Sequence, residues 1–404
     1  MRPRPFLLLL AGFALALMAT GDADAKEPEW SYTTGDTVRS VAISADGNHI
    51  VAGSEEPKIY LFNKDSSTPL WDYTPEYHVK SVAISADGEY IVAGGDDKNV
   101  YFFNKNSSTP LWIYTTGDRE VNSVAISGDG EYIVTGGDDG HVYLFNKDNG
   151  TPLWSYSNDS KVKAVSISRD GEYIVAGDKR ENVYLFRKDN NTPIWSYAIG
   201  GNVFYDRDWL AISADGEYIT AGSDDGKVYI FHEDSSTPIW NYTTWDDVTS
   251  VDISADGEYI VAGSQDEYVY LFHKNSSTPL WTYKTGSWGW SVSISDDGKY
   301  IAVCSDKLYL FNKDSSTPLW SYKTEQQINT ADISANSQYI VGGSAGYFYL
   351  FDNTTSQNGG GNDGGGGDDG GGGDDGGGGI PAPSLAASVA AVAIIALRRH
   401  ERRK

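Results

Sequence analysis

Short apolar runs alternate with polar turns along most of the chain, and the same four runs recur in the same order. They are typified by Val-Ala-Ile-Ser, Tyr-Ile-Val-Ala-Gly, Tyr-Leu-Phe and Leu-Trp-Ser-Tyr, which we label strands a to d. Each run is rich in β-branched or aromatic residues and is bounded by turn residues, a pattern typical of β-strands. An Asp-Gly pair between strands a and b favours a tight hairpin. The pattern predicts repeated units of four sequential antiparallel strands.

The tryptophan of strand d marks the period of the repeat. It occurs eight times, at intervals of 41, 41, 42, 41, 45, 41 and 39 residues: Trp30, Trp71, Trp112, Trp154, Trp195, Trp240, Trp281 and Trp320. A fixed period of this length is typical of solenoids and propellers. Four antiparallel strands per unit make a propeller blade. We therefore predict an all-β fold, an eight-bladed β-propeller of four-stranded antiparallel blades.

The first and last repeats are incomplete in complementary ways. After Phe351 no strand d follows, whereas an unmatched strand d, Glu29-Trp30-Ser31-Tyr32, opens the repeat region. Pairing the two would close the ring and remove an exposed sheet edge. We expect the N-terminal strand to close the last blade, with residues 26–352 forming the propeller. An open solenoid is the alternative, and it would need end caps that the sequence lacks.

Both ends of the chain resemble targeting segments. Residues 1–25 have a basic start, an apolar stretch and a small-residue cleavage site, which predicts a signal peptide and a mature chain beginning near Lys26. Residues 353–379 are a Gly/Asp-rich linker, residues 380–397 an apolar anchor or sorting helix, and residues 398–404 a basic tail. The tail resembles prokaryotic C-terminal sorting tags. The positive-inside rule predicts an exported propeller, held outside the cytoplasmic membrane at the cell surface.

The repeats resemble two known propeller families. Ser-Ala-Asp-Gly-Glu-Tyr-Ile-Val-Ala-Gly-Ser followed by Val-Tyr-Leu-Phe is similar to the centre of a WD-type repeat, and Pro-Leu-Trp-x-Tyr is similar to pyrroloquinoline-quinone-like repeats. The Gly-His and Trp-Asp pairs of WD repeats do not recur at their usual places, so the hydrogen-bond network of that family is not carried over. The resemblance implies a propeller and leaves two alternatives open for function: a quinoprotein-like dehydrogenase or an envelope assembly factor.

Composition narrows the classes of function. The chain has 31 basic and 56 acidic residues, a net charge of −25, which argues against nucleic acid as a partner. Cys304 is the sole cysteine, so there is no disulfide framework and no adjacent cysteine pair of the quinoprotein kind. The six histidines lack the spacing of a metal site. We expect no enzyme activity, no cofactor and no metal.

Most of the negative charge falls in turns. Residues 26–352 hold 24 basic and 48 acidic residues. The b–c and d–a turns, which emerge on one face of a propeller, carry many of these carboxylates; we call this face the loop face. A ring of negative potential there could steer a basic ligand. The alternative is that Asp suits tight turns through its own hydrogen bonds.

Three consecutive d–a turns depart from the small polar consensus, and they provide the candidate site. Deviating loops on a rigid scaffold often carry function, and aromatic platforms beside carboxylates suit sugar or peptide ligands. We predict a ligand-binding patch on one sector of the loop face, formed by Phe204, Tyr205, Asp206, Asp208, Trp209, Trp245, Asp246, Asp247, Trp288 and Trp290. The sequence thus predicts a monomeric, non-catalytic binding or scaffolding module for an extracellular protein, peptide or glycan. For Trp209, packing at the channel mouth is the alternative.

Overall fold

The computed structural model describes residues 24–200 and 209–354. Over these residues the secondary structure consists of β-strands joined by short turns. The strands are β1 (Asp24–Ala25), β2 (Trp30–Ile43), β3 (His49–Ser54), β4 (Lys58–Asn63), β5 (Trp71–Tyr73), β6 (Val79–Ile84), β7 (Tyr90–Gly95), β8 (Asn99–Asn104), β9 (Trp112–Thr115), β10 (Val121–Ile126), β11 (Tyr132–Gly137), β12 (His141–Asn146), β13 (Trp154–Ser157), β14 (Val162–Ile167), β15 (Tyr173–Asp178) and β16 (Asn182–Arg187). They continue with β17 (Asn190–Ala198), β18 (Leu210–Ile212), β19 (Tyr218–Gly222), β20 (Lys227–His232), β21 (Ser235–Thr243), β22 (Val248–Ile253), β23 (Tyr259–Ser264), β24 (Tyr268–His273), β25 (Ser276–Lys284), β26 (Ser291–Ile294), β27 (Tyr300–Cys304), β28 (Leu308–Asn312), β29 (Trp320–Tyr322), β30 (Ile328–Ile333) and β31 (Tyr339–Asp352).

The all-β propeller is confirmed, but the prediction of eight separate blades is wrong. Taking one hydrogen-bonded sheet as a blade, the described strands form seven: five of four strands, one of five and one of six. The six-stranded sheet runs β30-β31-β2-β3-β4-β5 and holds strands of both the first and the last repeat. They merge because β2 is continuous: Trp30 lies opposite Leu350 of β31, whereas Val41 lies opposite Ala52 of β3.

The expected pairing between the N-terminal segment and the end of the last repeat is present in this sheet. Trp30 to Thr33 pair antiparallel with residues of β31, and a further bridge joins Thr37 to Ala345. The innermost strands, one from each repeat, contact their neighbours in chain order, and β30 contacts both β26 and β2. The ring of strands is therefore closed through the two ends of the repeat region.

The core lies between neighbouring sheets and repeats with the sequence. Each strand c contributes a fully buried phenylalanine: Phe62, Phe103, Phe145, Phe186, Phe231, Phe272, Phe311 and Phe351. Seven of the strand-d indoles donate their Nε1–H to a backbone carbonyl of the following repeat, at Lys64, Lys105, Lys147, Lys188, Glu233, Lys274 and Lys313. These contacts bind each repeat to the next. Cys304 is buried in β27, as expected for a small core residue.

The turns between strands a and b form a second belt around the ring. Ala45 N donates to Ala86 O at 2.9 Å, Ala86 N to Gly128 O at 2.9 Å and Gly128 N to Arg169 O at 2.8 Å. The series continues through Ala214 and Ala255, and Asn336 N donates to Ala45 O at 3.1 Å. Because backbone groups carry this belt, it fixes the spacing of the repeats independently of side chains.

Several predicted segments lie outside the described residues. These are the signal peptide up to residue 23 and the linker from residue 355 onward with the anchor helix and the basic tail. In the described ranges no helix has the length and apolar character needed to cross a membrane.

Candidate functional site

A cavity of about 460 Å³ opens inside the ring, at the start of the innermost strands on the loop face. We call it the channel-mouth pocket. It is lined by Thr37, Arg39, Ser40, Glu55, His78, Lys80, Ser81, Asp96, Asn122, Ser123, Lys163, Trp290, Ser291, Asn329 and Thr330. The residues come from six repeats, so only the assembled ring creates the pocket.

A β-bulge in six of the repeats places a residue that varies from repeat to repeat. The register of strand a against strand b shifts between Val38 and Ser40, and the same shift occurs at the corresponding places of five other repeats. A bulge leaves one residue out of the ladder and re-aims its side chain. The bulge positions are Arg39, Lys80, Asn122, Lys163, Thr249 and Asn329. Five of these six residues line the pocket.

The basic side chains of the pocket belong to a network of ion pairs. Lys80 Nζ lies 3.1 Å from Asp96 Oδ1 and also contacts Glu120. Lys163 Nζ lies 3.0 Å from Asp138 Oδ1, and its side chain is only 10% exposed. Burial alone would raise the pKa of Asp138, but hydrogen bonds from Asn122, Lys161 and Lys163 outweigh burial and hold that pKa well below its ordinary value. Asp138 is therefore held as a carboxylate between Lys161 and Lys163.

A ring of hydroxyl groups lies beside the bulges. Ser40 Oγ accepts a hydrogen bond from Val82 N at 3.1 Å, and Ser81 Oγ accepts one from Val124 N at 3.1 Å. Ser123, Ser250 and Ser291 accept from the next repeat in the same way. Since each oxygen is the acceptor, the hydroxyl hydrogen remains able to donate to a molecule in the pocket.

A second cavity, of about 250 Å³, lies at the other end of the innermost strands. Isoleucine, alanine and glycine line most of it, together with Arg169 and Asp296. These two residues take positions that are Ala or Gly in most repeats, and they form an ion pair across the ring. Asp332 also lines this cavity, so the lower end of the channel is narrowed by apolar residues, this charged pair and a further carboxylate.

The structure separates the residues of the predicted aromatic patch. Trp290 lines the channel-mouth pocket, and Trp288 packs beside it with ring centroids 5.3 Å apart. Trp245 is 75% exposed, and no ring contact joins it to another aromatic residue in the described ranges. Trp209 is buried in the core, where it packs against Gly177. Trp209 therefore packs in the core, and it is not among the residues that line the channel-mouth pocket. Phe204, Tyr205, Asp206 and Asp208 lie outside the described residues.

The acidic members of the patch have local roles in their turn. Asp246 Oδ1 accepts from Asp247 N at 3.0 Å, and Asp246 O accepts from Ser264 Oγ at 3.1 Å. Burial and the neighbouring Asp246 carboxylate raise the pKa of Asp247. That these residues bind a ligand stays a prediction.

Seven carboxylates of the b–c turns have a structural partner. Each accepts a hydrogen bond from a strand-c tyrosine hydroxyl, in the pairs Tyr60 with Glu56, Tyr101 with Asp97, Tyr143 with Asp139, Tyr184 with Asp178, Tyr229 with Asp225, Tyr270 with Asp266 and Tyr309 with Asp306. Burial, together with Asp225, raises the pKa of Tyr229 to about 12. These hydrogen bonds stabilise the turns, which explains why carboxylates occupy these seven positions.

One group on the opposite face has metal-ligand chemistry. His232, Glu233 and Asp234 are consecutive, and their ligand atoms lie within 4.8 Å of one another. His232 Nδ1 lies 2.8 Å from Glu233 Oε2, an ordinary surface pair. We assign no ion to this turn.

Sequence reasoning missed Arg39, Lys80 and Lys163. A signal was present in five repeats, where the residue between a constant Val and the following Ser or Ala varies: Arg39, Lys80, Asn122, Lys163 and Thr249. Loop length and aromatic content identified Trp290, but they gave no indication of the basic residues that line the other side of the pocket.

A closed ring of four-stranded repeat units with an axial pocket defines a repeat β-propeller. Comparison with family models agrees with the sequence resemblance. The model of the family described as outer membrane protein assembly factor BamB matches residues 22–242, and that of the WD domain, G-beta repeat, matches residues 236–273. Since the first match spans more than half of the chain, the protein belongs to the BamB-like family of pyrroloquinoline-quinone-like repeat propellers. No curated protein sequence matches the chain.

Proposed function

We propose that the protein is a non-catalytic binding module that works outside the cell and holds its ligand in the channel-mouth pocket. One observation carries the proposal: within a nearly uniform repeat, the bulge positions vary in residue type, and five of the six line a single cavity. Variation on a fixed scaffold is the usual way in which a repeat protein acquires a specific surface.

The chemistry of the pocket supports binding rather than catalysis. Its serine oxygens already accept backbone amides of the next repeat. His78 Nδ1 contacts the backbone oxygen of Glu55. A nucleophile would need a hydroxyl held by a base, and these groups are held by the fold instead.

The location outside the cell rests on the sequence of the two ends. A signal peptide over residues 1–25 and an anchor over residues 380–397 would export the propeller and tether it to the membrane.

A role as an envelope assembly factor is the second candidate, favoured by the description of the matching family. Such a role needs a protein-docking surface. Eight aliphatic side chains in or directly before the outer strands are 45–55% exposed: Leu70, Leu111, Ile113, Leu153, Ile194, Ile239, Leu280 and Leu319. They encircle the propeller away from the pocket, so the two candidates use different surfaces.

Paired variants separate the candidates. The exported protein is screened on glycan and peptide arrays as wild type, as Trp288→Ala/Trp290→Ala and as Leu111→Ala/Leu153→Ala. We expect the tryptophan variant alone to lose the signal. Loss of the binding signal in the leucine variant alone would favour the assembly role. It would also contradict the proposal that the ligand binds in the channel-mouth pocket. Adding pyrroloquinoline quinone and calcium tests the dehydrogenase alternative, since a bound chromophore would contradict a non-catalytic module.

A further inference from the structure

We infer that the channel-mouth pocket takes an uncharged, hydroxyl-rich ligand, the chemistry of a neutral oligosaccharide. The inference rests on the proposed function and narrows it to one ligand class. Three features of the pocket carry it: the pairing of its cations with carboxylates, its hydrogen-bonding groups and its aromatic wall.

The basic side chains of the pocket wall are all paired. Arg39 contacts Glu55, Lys80 contacts Asp96 and Glu120, and Lys163 contacts Asp138, which lies behind the wall and also binds Lys161. An anionic ligand would compete with these carboxylates for the same cations. Separating a partly buried ion pair is costly, because it leaves one charge without its partner. Among the described lining residues, the cations Arg39, Lys80 and Lys163 outnumber the carboxylates Glu55 and Asp96, so a cationic ligand would find no excess of negative charge there.

Hydrogen-bonding groups of both kinds face the same space. The hydroxyls of Ser40, Ser81 and Ser123 remain able to donate, because their oxygens accept backbone amides. Carboxylates such as Asp96 retain lone pairs that can accept. A sugar hydroxyl both donates and accepts, so a pocket with both functions suits a polyol better than a simple anion.

Trp290 supplies an aromatic wall. It lines the pocket, and Trp288 supports it at a ring-centroid separation of 5.3 Å. The face of an indole carries negative potential, which attracts the weakly positive C–H groups of a pyranose ring. Ligand sites commonly combine one aromatic surface with a few fixed polar groups. The ligand would therefore place a sugar ring against Trp290 and direct its hydroxyls toward the bulge side chains of the first four repeats.

Calorimetry and tryptophan fluorescence on the exported protein test the inference. The probes are maltohexaose, cellohexaose and chitohexaose as neutral oligomers, with an oligogalacturonate, a chitosan oligomer and an acidic peptide as charged ones. Each is titrated at about 50 and 500 mM NaCl, since high salt screens charged contacts. We expect a neutral oligomer to bind with a Kd that changes less than about twofold with salt.

Variants locate the binding. Trp290→Ala should weaken the neutral oligomer by about tenfold or more, and Trp290→Phe should restore most of the affinity. Leu153→Ala, on an outer strand, is the control and should bind like wild type. Thermal melts confirm that each variant is folded. If Trp290→Ala does not fold, the affinity of Asn329→Ala, which alters another residue of the pocket lining, is measured instead.

The outcomes separate this inference from the proposed function. A charged probe that binds alone, with a strong salt dependence, and is lost in Trp290→Ala would overturn the ligand class while leaving the pocket as a binding site. Binding of any probe that is equal in wild type and Trp290→Ala would overturn both, as would the absence of binding by every probe.

Discussion

The side-chain carboxyl group of Glu181 is buried in a turn. Replacing Glu181 with Gln should therefore change the pH dependence of the free energy of unfolding in a defined direction. Glu181 lies between β15 and β16 at a φ of 59°, with 0% of the residue exposed. Ser223 Oγ donates to Glu181 Oε2 at 3.1 Å. Within the described ranges, Glu181 Oε1 has no hydrogen-bond partner. Burial, with a smaller contribution from Asp224 and Asp225, raises the pKa of Glu181 from 4.5 to about 7.

The pKa difference sets the size of the effect. Below pH 4.5 both the folded and the unfolded state hold the proton, so Glu181 carries no penalty. As pH rises from 4.5 to about 7, the unfolded state releases the proton while the folded state retains it, and the free energy of unfolding falls. At 1.36 kcal/mol per pKa unit, the loss above pH 7 approaches about 3 kcal/mol. Glu181→Gln is always neutral and should escape this loss.

Urea unfolding between about pH 5 and pH 8 measures the effect. Glu181→Gln should gain stability relative to wild type as pH rises, with the gain levelling off above neutrality. Glu267→Gln is the matched control, because Glu267 occupies the same turn position at a φ of 71° but is paired with Lys284 at 3.2 Å. Stability curves of wild type and Glu181→Gln that run parallel across this range would refute the reasoning.

Three further predictions concern how the ring is held together. Trp30→Ala should cost about 3 kcal/mol, because it removes packing against two phenylalanines and an indole hydrogen bond at the closure of the ring; urea unfolding measures it. Gly177→Ala should cost about 1–3 kcal/mol, since the added methyl would lie 2.0 Å from Trp209, and a thermal melt reports it. Arg169 and Asp296 form a partly exposed pair, so a double-mutant cycle should give a coupling below about 1 kcal/mol that shrinks in high salt.

Control substitutions keep these measurements interpretable. Trp245→Ala removes an indole that is 75% exposed and should leave stability almost unchanged, in contrast to Trp30→Ala. Gly117→Ala adds a methyl whose nearest neighbour is 3.6 Å away and should be tolerated. Equal losses in the control and the test variant would contradict the packing argument. A salt-independent coupling well above 1 kcal/mol would contradict the account of Arg169 and Asp296.

The strands and the repeats could be predicted from the sequence because residues close together in the chain determine them. The Asp-Gly turns, the buried strand-c phenylalanines and the strand-d tryptophans each recur with one period, so one repeat explains the others. The number of sheets did not follow. It depends on how the chain between Thr33 and Thr37 pairs with β31: the register shifts there, and the bridge from Thr37 to Ala345 resumes the pairing beyond the shift. Such a pairing of distant residues has no local signature.

The site was predicted in part for a related reason. Trp290 was identified because an aromatic residue in a polar turn is conspicuous in sequence. Lys80 and Lys163 were missed because a lysine in a strand is expected to lie on the protein surface. Only the β-bulge directs these side chains into the pocket. Trp209 shows the opposite case: it looks like a binding residue, but the space above Gly177 takes it into the core.

A crystal structure of the exported protein with its tightest-binding probe tests the central claim most directly. The account predicts ligand density in the channel-mouth pocket, in contact with Trp290 on one wall and with Lys80 or Asn122 on the other. Density on the outer strands around Leu111, with the pocket holding only water, would contradict it.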